Sequence, residues 1–469
     1  MHDSNLQDNE PEITVVLKDS TCSKRRQPIG HVSTDGDVPE VRTLPSTGTR
    51  QPPTPNNHQD DEDTAMDTCF PIVRPLGVIE EFFWLFDHSS PLHFCVAAEV
   101  KGRTRVADWR AAVDGLQVRH PMLSVSIDSS QHRVPHFYKN GGRLPLRVAP
   151  LGTTWEREAE HEIATLFDPT EGPLARVVLI HESERSFVLL VTHHAISDGL
   201  SSIYMLRDLL KALSGQQLAP YDFPPSIDQI LGAPTRPTSA PGRRLSHALA
   251  FERLKKPVHV KGLAVAPETT NLLRERARRE GATMHGIVCA AATLAGRAID
   301  AAWRDRAVSI VSPVDLRKLL QLNDECVVAV SKTSTVVEPN APSDMWEMAR
   351  SITASILPAK TLEGGAPVFN AVYEAMSTDM DEADGARFNA AVFSDTMLVS
   401  NLGQVPFSSS IGELSIEALW APVVLRGHDA EQNIGVSTIN GALHLVHSSW
   451  TPLPGFLEEV QARLENASR

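Results

Sequence analysis

The chain has 469 residues, 42% of them hydrophobic and 22% charged, a globular composition at a length that suggests two or three domains. Its net charge of −14 argues against nonspecific nucleic-acid binding, which needs a basic surface. No apolar run approaches the roughly twenty residues of a transmembrane segment, and the acidic, polar start MHDSNLQDNEPE is neither a secretory signal nor an Arg-rich transit peptide.

Residues 1–70 carry thirteen acidic and six basic side chains, so half of the net charge lies in this stretch. Residues 1–69 hold seven prolines and no Phe, Trp or Tyr, and end near the acidic run Asp60-Asp61-Glu62-Asp63. Such a segment cannot bury enough apolar surface to offset its ordering entropy. It reads as a disordered N-terminal tail, either a docking or regulatory segment or a solvated extension with no specific role. The five cysteines (Cys22, Cys69, Cys95, Cys289, Cys326) are widely spaced and include no CxxC. That fits a reducing compartment, and with the lack of a leader it gives a cytoplasmic expectation.

Order is expected from Phe70. Phe94 to Val100 has strand composition. Trp109 to Arg119 has helical periodicity, offering Ala112, Val113, Leu116 and Val118 to a core, and Arg119-His120-Pro121 ends it. Val125 to Ile127 alternates like a strand, and Thr154 to Phe167 reads as an amphipathic helix. Ala175 to Ile180 and Phe187 to Val191 look like adjacent strands with their turn at Glu182 to Arg185. Then comes Thr192-His193-His194-Ala195-Ile196-Ser197-Asp198-Gly199, and after it a helix to Leu213 with Ile203, Leu206, Leu210 and Leu213 on one face and Gly215 as C-cap. The histidine pair therefore sits in a strand-to-helix turn, where functional groups are often held.

Residues 216–257 are Pro-rich, carry the basic pairs Arg243-Arg244 and Lys255-Lys256, and read as a crossover linker. Beyond them a charged helix is predicted from Pro267 to Glu280, broken at Gly281, then a small-residue apolar helix from Thr283 to Ile299 and a strand from Val308 to Val311. Strands and helices in this order give an α/β fold class. The expected domains are an N-terminal half at 70–215, with the histidine pair at one sheet end, and a C-terminal half at 258–469.

The segment HHAISDG matches the HHxxxDG signature of acyltransferases that resemble chloramphenicol acetyltransferase, a superfamily that includes peptide-synthetase condensation domains. Further segments are similar to that family in its order. Arg119-His120-Pro121-Met122-Leu123 resembles RHPxL, and Phe167-Asp168 with Gly172-Pro173-Leu174-Ala175-Arg176 resembles FD…GPLxR. Pro313-Val314-Asp315-Leu316-Arg317 resembles PVDLR, and Ser400-Asn401-Leu402-Gly403 resembles SNxG. RPLGVIEEFFW and ATMHGIVCAAATLA bring the chain nearest to the phthiocerol dimycocerosyl transferase and alcohol acyltransferase branch. The DFGWG motif of the plant BAHD enzymes is absent.

The resemblance implies two chloramphenicol acetyltransferase-like sandwich halves forming a V with a central tunnel. A thioester arm would enter from one face and the acceptor from the other, meeting at His194. The activity implied is an O-acyltransferase of lipid or secondary metabolism, drawing on acyl-CoA or an acyl carrier protein and using no bound cofactor. The partner molecules are a small-molecule alcohol or amine acceptor and, with a carrier-bound donor, that carrier protein. An amide-forming stand-alone condensation domain and a catalytically degenerate binding scaffold are the alternatives.

His194 is the expected general base, taking the acceptor proton and returning it to the leaving thiol. No GxSxG and no cysteine beside the pair suggest a covalent acyl-enzyme. His193, adjacent in an extended turn, should point to the opposite side and serve structure. Asp198 either orients the base or fixes the turn through a buried salt bridge. The resemblance favours the second, with Arg317 as partner. Gly199 permits a backbone conformation or close approach denied to a Cβ-bearing residue. Asn401 either donates to the oxyanion or substrate carbonyl or caps a turn before Gly403. His120 and His285 read as helix-end or buried histidines. No metal site is expected, since adjacent histidines diverge and no ligand trio or HExxH occurs.

Overall fold

The computed structural model describes residues 70–469 apart from residues 141, 237–241, 243–244, 379, 381 and 393, and the expected tail at 1–69 lies outside the described residues. Two six-stranded mixed sheets carry the architecture. The first runs Ser410–Ile411, Leu414–Val423, Phe94–Lys101, Arg185–Thr192, Ala175–His181, Leu146–Val148. The second runs Val330–Val337, Val308–Asp315, Met397–Gln404, Gln432–Ile439, Ala442–Ser449, His259–Val265. A small third sheet joins Ile72–Pro75, His136–Lys139 and Val125–Asp128.

The apolar run Phe187–Val191 is continuous because both faces of its strand are covered. Val188 and Leu190 join a cluster with the helices Val106–Arg119 and Gly199–Leu213. Leu189 and Val191 face the other way, onto Trp155, Ala159 and Ile163 of the helix Trp155–Ile163. In the second sheet Ile310, Val399, Ile434 and Leu445 pack under the helices Met284–Ile299, Met345–Ile356 and Phe456–Ala467. Small residues let these helices approach closely. A Cβ at Gly286 would lie 2.6 Å from the Ala349 carbonyl.

The helix stops follow local chemistry. Thr283 caps Met284–Ile299 through the Gly286 N–H, and Gly281 takes φ +67° after Glu280. Gly215 takes φ +85° after Leu213.

Several expectations need correction. The sheets do not divide as 70–215 and 258–469, because Leu414–Val423 and Ser410–Ile411 cross into the first sheet, where Leu419 pairs with Ala98. Residues 216–257 contain the short helices Ile227–Ile230 and Ala248–Arg253. The helix expected over 154–167 ends at Ile163, and Phe167 instead packs beyond it, beneath the Arg176 guanidinium. Val118 is 63% exposed, since the core face of its helix is formed by Trp109, Ala112, Val113 and Leu116. Cys95, Cys289 and Cys326 are buried free thiols. Among the described residues no single helix is long and apolar enough to cross a membrane.

Candidate active site

The strand Arg185–Thr192 delivers the histidine pair to the end of the first sheet. The His193 N–H bonds the Leu174 carbonyl at 2.9 Å, the last tie to the neighbouring strand. The chain then turns: Ile196 N–H bonds the His193 carbonyl, and the Ser197 hydroxyl bonds Thr192 Oγ1 at 2.7 Å. Asp198 ends the turn as the N-cap of Gly199–Leu213, its Oδ1 accepting the Ser201 N–H at 2.8 Å.

The two imidazoles diverge. His193 is fully buried, and its Nδ1 accepts the Ala195 N–H at 3.1 Å. The proton is thereby assigned to Nε2, which faces Asp87 Oδ2 at 3.5 Å. Asp87 ends the helix Val78–Asp87 and accepts the Leu92 N–H at 2.8 Å. Burial would raise its carboxyl, but His193 and His93 hold it well below the usual carboxylate range. Among the described residues no three His, Cys, Asp or Glu side chains are placed to hold a metal ion.

His194 points the other way and is partly exposed, onto a cavity of about 370 Å³. Its ring stacks on Phe83 at 3.8 Å with the planes 1° apart, and Phe94 tilts against it at 4.8 Å. Nδ1 is buried against the carbonyls of His194 itself and Ser197, without a bond of good geometry, so Nε2 is the nitrogen that opens on the cavity. Desolvation among these aromatic walls lowers the imidazole to about 4, outweighing those carbonyls and Asp198. At neutral pH the ring is uncharged and has a lone pair to offer.

Asp198 and Arg317 meet. Arg317 Nη2 lies 3.1 Å from Asp198 Oδ1 and donates to Ser201 Oγ at 2.6 Å, and both residues are buried. Asp198 Oδ2 takes the Ala329 N–H at 2.9 Å. Burial would raise the Asp198 carboxyl, but Arg317 and the two backbone donors keep it low. Arg317 also donates to the carbonyls of Asn323 and Glu325 at 3.0 and 3.1 Å. Ser201 Oγ accepts the Val327 N–H and donates to the Val327 carbonyl. The turn that carries the histidines is thus fastened to the segment before Val330–Val337 of the second sheet. A second tie runs from His120 and Arg119 through Asp208 to Arg207 and on to Asp324. His285 is half-buried elsewhere, bonded to Ser312 Oγ at 2.8 Å.

The cavity draws its walls from both sheets: Phe83, Phe94, His194 and Gly199 on one side, Val311, Pro313 and Asn401 on the other. Asn401 Oδ1 accepts the Gly403 N–H at 2.8 Å, where Gly403 turns at φ +73°. This tie is the turn cap, and Asn401 is at the same time one of the residues that line the cavity. Gly199 is a close-approach glycine. A Cβ there would lie 2.7 Å from Leu402 Cδ2. Sequence reading did not single out Asp87, Phe83 or Phe94 as site residues. Only the aromatic FFW run near the start hinted at Phe83, and in sequence it is indistinguishable from core.

Comparison with known proteins agrees with this arrangement. The condensation-domain family model matches residues 82–226, and the model described as phthiocerol/phthiodiolone dimycocerosyl transferase C-terminus matches residues 255–446. Polyketide synthase associated protein 5 from Mycobacterium tuberculosis superposes with a TM-score of 0.60 at 17% identity, covering 85% of this chain and 99% of that one. The condensation domain of the monacolin K polyketide synthase MokA gives 0.59 at 12% identity, covering 85% and 98%. Trichothecene 15-O-acetyltransferase from Fusarium sporotrichioides gives 0.54 at 14%, covering 84% and 94%. At these identities the structures speak for the fold alone. Among curated sequences, a hybrid PKS-NRPS synthetase of Xenoacremonium sinensis is 27% identical over 155 residues, 31% of this chain and only 4% of that protein's length. The condensation-domain match and the phthiocerol/phthiodiolone dimycocerosyl transferase C-terminus match fall in consecutive parts of the chain, and the solved structures share its fold. Its sequence relatives lie among polyketide and nonribosomal peptide synthases.

Proposed function

We propose that the protein transfers an acyl group from a thioester, carried by coenzyme A or by an acyl carrier protein, to a hydroxyl acceptor. The observation that carries this reading is His194: an uncharged imidazole clamped by Phe83 and Phe94, with one nitrogen open to a cavity walled by both sheets. The cavity is read as the middle of a tunnel between two halves set in a V. A thioester is already activated, so orientation, a base and oxyanion donors suffice.

In this mechanism the acceptor oxygen attacks the thioester carbonyl as its proton passes to His194 Nε2. The Asn401 amide is the donor offered to the oxyanion. Collapse breaks the C–S bond, and the imidazolium returns the proton to the leaving sulfur. The base is never alkylated or acylated. His193, Asp198, Gly199 and Arg317 act on geometry: they fix the turn so that Nε2 stays aimed into the cavity.

A second reading, amide formation on an amine acceptor, is favoured by the condensation-domain match over residues 82–226. Both are tested by offering the purified protein octanoyl-CoA and an octanoyl carrier protein with matched panels of alcohols and amines. Ester products that disappear in the His194→Ala variant support the first reading. Amide products alone support the second. No transfer to any acceptor, with intact folding, would leave a binding scaffold as the better description.

A further inference from the structure

The C-terminal half of the helix Val78–Asp87 touches both histidines of the turn, with one residue for each. Phe83 stacks on His194, and four residues on, along the same helix face, Asp87 meets His193. Asp87 stands where a helix least favours an acid. The helix dipole opposes negative charge at its C-terminus, and no basic residue sits in this last turn. The carboxylate is also fully buried. Helix chemistry therefore does not account for it, and its tertiary partners must.

Those partners are unequal. Oδ1 takes the Leu92 N–H at 2.8 Å and lies 3.8 Å from His93 Nδ1. The other nitrogen of His93 is bonded to the Glu162 carbonyl at 3.0 Å. Oδ2 faces His193 Nε2 at 3.5 Å and His247 Nε2 at 4.0 Å. His88 and Arg176 also feel the charge of Asp87. His193 is the nearest of these side chains, and neither Oδ2 nor His193 Nε2 makes a hydrogen bond elsewhere.

The contact governs where a proton sits. With an acceptor beside Nε2, His193 keeps its proton there and leaves Nδ1 a lone pair for the Ala195 N–H, 3.1 Å away. That bond spans His194. An ionised carboxylate only accepts, so it cannot favour the other tautomer. The same carboxylate holds one end of the helix that carries Phe83. The opposite end is fastened separately, by Glu80 to Arg74 at 2.7 Å and by the Val78 N–H to Asp228 at 2.9 Å.

We propose that Asp87 is a positioning residue: through the tautomer of His193 and the seat of Phe83 it keeps His194 clamped and aimed into the cavity. This rests on the acyltransferase reading only in taking His194 as the base.

The test is Asp87→Asn in the full chain. NMR of isotope-labelled histidine reads which nitrogen of each ring is protonated, and His193→Gln and His194→Gln assign the two rings. Turnover is measured with octanoyl-CoA and an acceptor the wild type uses. Wild-type His193 is expected to carry its proton on Nε2. In Asp87→Asn the amide oxygen keeps the Leu92 N–H and the amide NH2 turns on His193, so the proton moves to Nδ1 and the Ala195 bond is lost. His194, loosened from Phe83, then titrates about one pH unit higher than in the wild type. Loss of a nearby negative charge alone would move it lower, so the sign separates positioning from simple electrostatics. The expected fall in kcat is about tenfold to hundredfold, with KM changed less than about twofold. A proton on Nδ1 of His193 in the wild type overturns the proposal, and that measurement decides even if Asp87→Asn does not fold. An Asp87→Asn protein that keeps the wild-type tautomer, the wild-type kcat, or a His194 midpoint unchanged or lowered overturns it too. The spectra need no turnover, so an inactive wild type would sink the acyltransferase reading while the tautomer and the His194 midpoint still judge this one.

Discussion

Removing Arg317 should unfasten the turn that carries His194. In Arg317→Ala, Asp198 stays buried and loses the countercharge that stood at 3.1 Å. Breaking one side of a buried pair costs about 3–5 kcal/mol. Two features pull in opposite directions here. Asp198 keeps the Ser201 and Ala329 N–H groups at 2.8 and 2.9 Å, which softens the loss. The carbonyls of Asn323 and Glu325 lose the donors that reached them at 3.0 and 3.1 Å, which adds to it. The net expectation is about 3–4 kcal/mol. Asp198→Asn keeps a cap acceptor and should cost about 2 kcal/mol. Urea unfolding of the two single variants and the double variant gives a coupling energy, expected at about 2 kcal/mol. The solvent-exposed pair Arg143–Asp114, with side chains 62% and 40% exposed, serves as a control whose removal should barely move the midpoint. Single variants below 1 kcal/mol with no coupling would refute the view that this pair fastens the turn to the second half.

Other consequences are as direct. Burial lowers His194 to about 4, so the ring is neutral above that value and protonated below it. The acid limb of kcat/KM should therefore fall near pH 4, and a limb centred between pH 6 and 7 would contradict the desolvated base. Phe83→Ala removes the ring stacked at 3.8 Å, admits water and frees the imidazole. Its acid limb should move upward and kcat should drop roughly tenfold to hundredfold, and an unchanged profile would show that the clamp is idle. Gly199→Ala drives a Cβ to 2.7 Å from Leu402 Cδ2, the end of a movable side chain. Calorimetry should find about 1–2 kcal/mol of destabilisation, relieved by adding Leu402→Ala.

Much of the local structure was legible in the chain. Phe187–Val191 announced a strand covered on both faces, and Thr283 and Gly281 announced helix ends, because caps and periodicity act over a few residues. The Asp198–Arg317 contact came instead from a family likeness, since nothing in spacing alone joins positions so far apart. What escaped was set by tertiary juxtaposition. Asp87 is one acid among many until His193 faces it. Phe83 looks like core until His194 stacks on it. Leu414–Val423 reads as another apolar strand, and only the register with Phe94–Lys101 shows that it crosses to the first sheet. Val118 failed for a simpler reason: a helix of mixed composition offers more apolar positions than its core face uses.

The central claim is that His194 removes the acceptor proton during acyl transfer. It is tested most directly by the turnover of His194→Ala relative to wild type, with the same thioester and the same alcohol and with folding matched by circular dichroism. The account predicts a fall of about 10²–10⁴-fold in kcat, the usual worth of a positioned general base. Turnover within fivefold of wild type would contradict it.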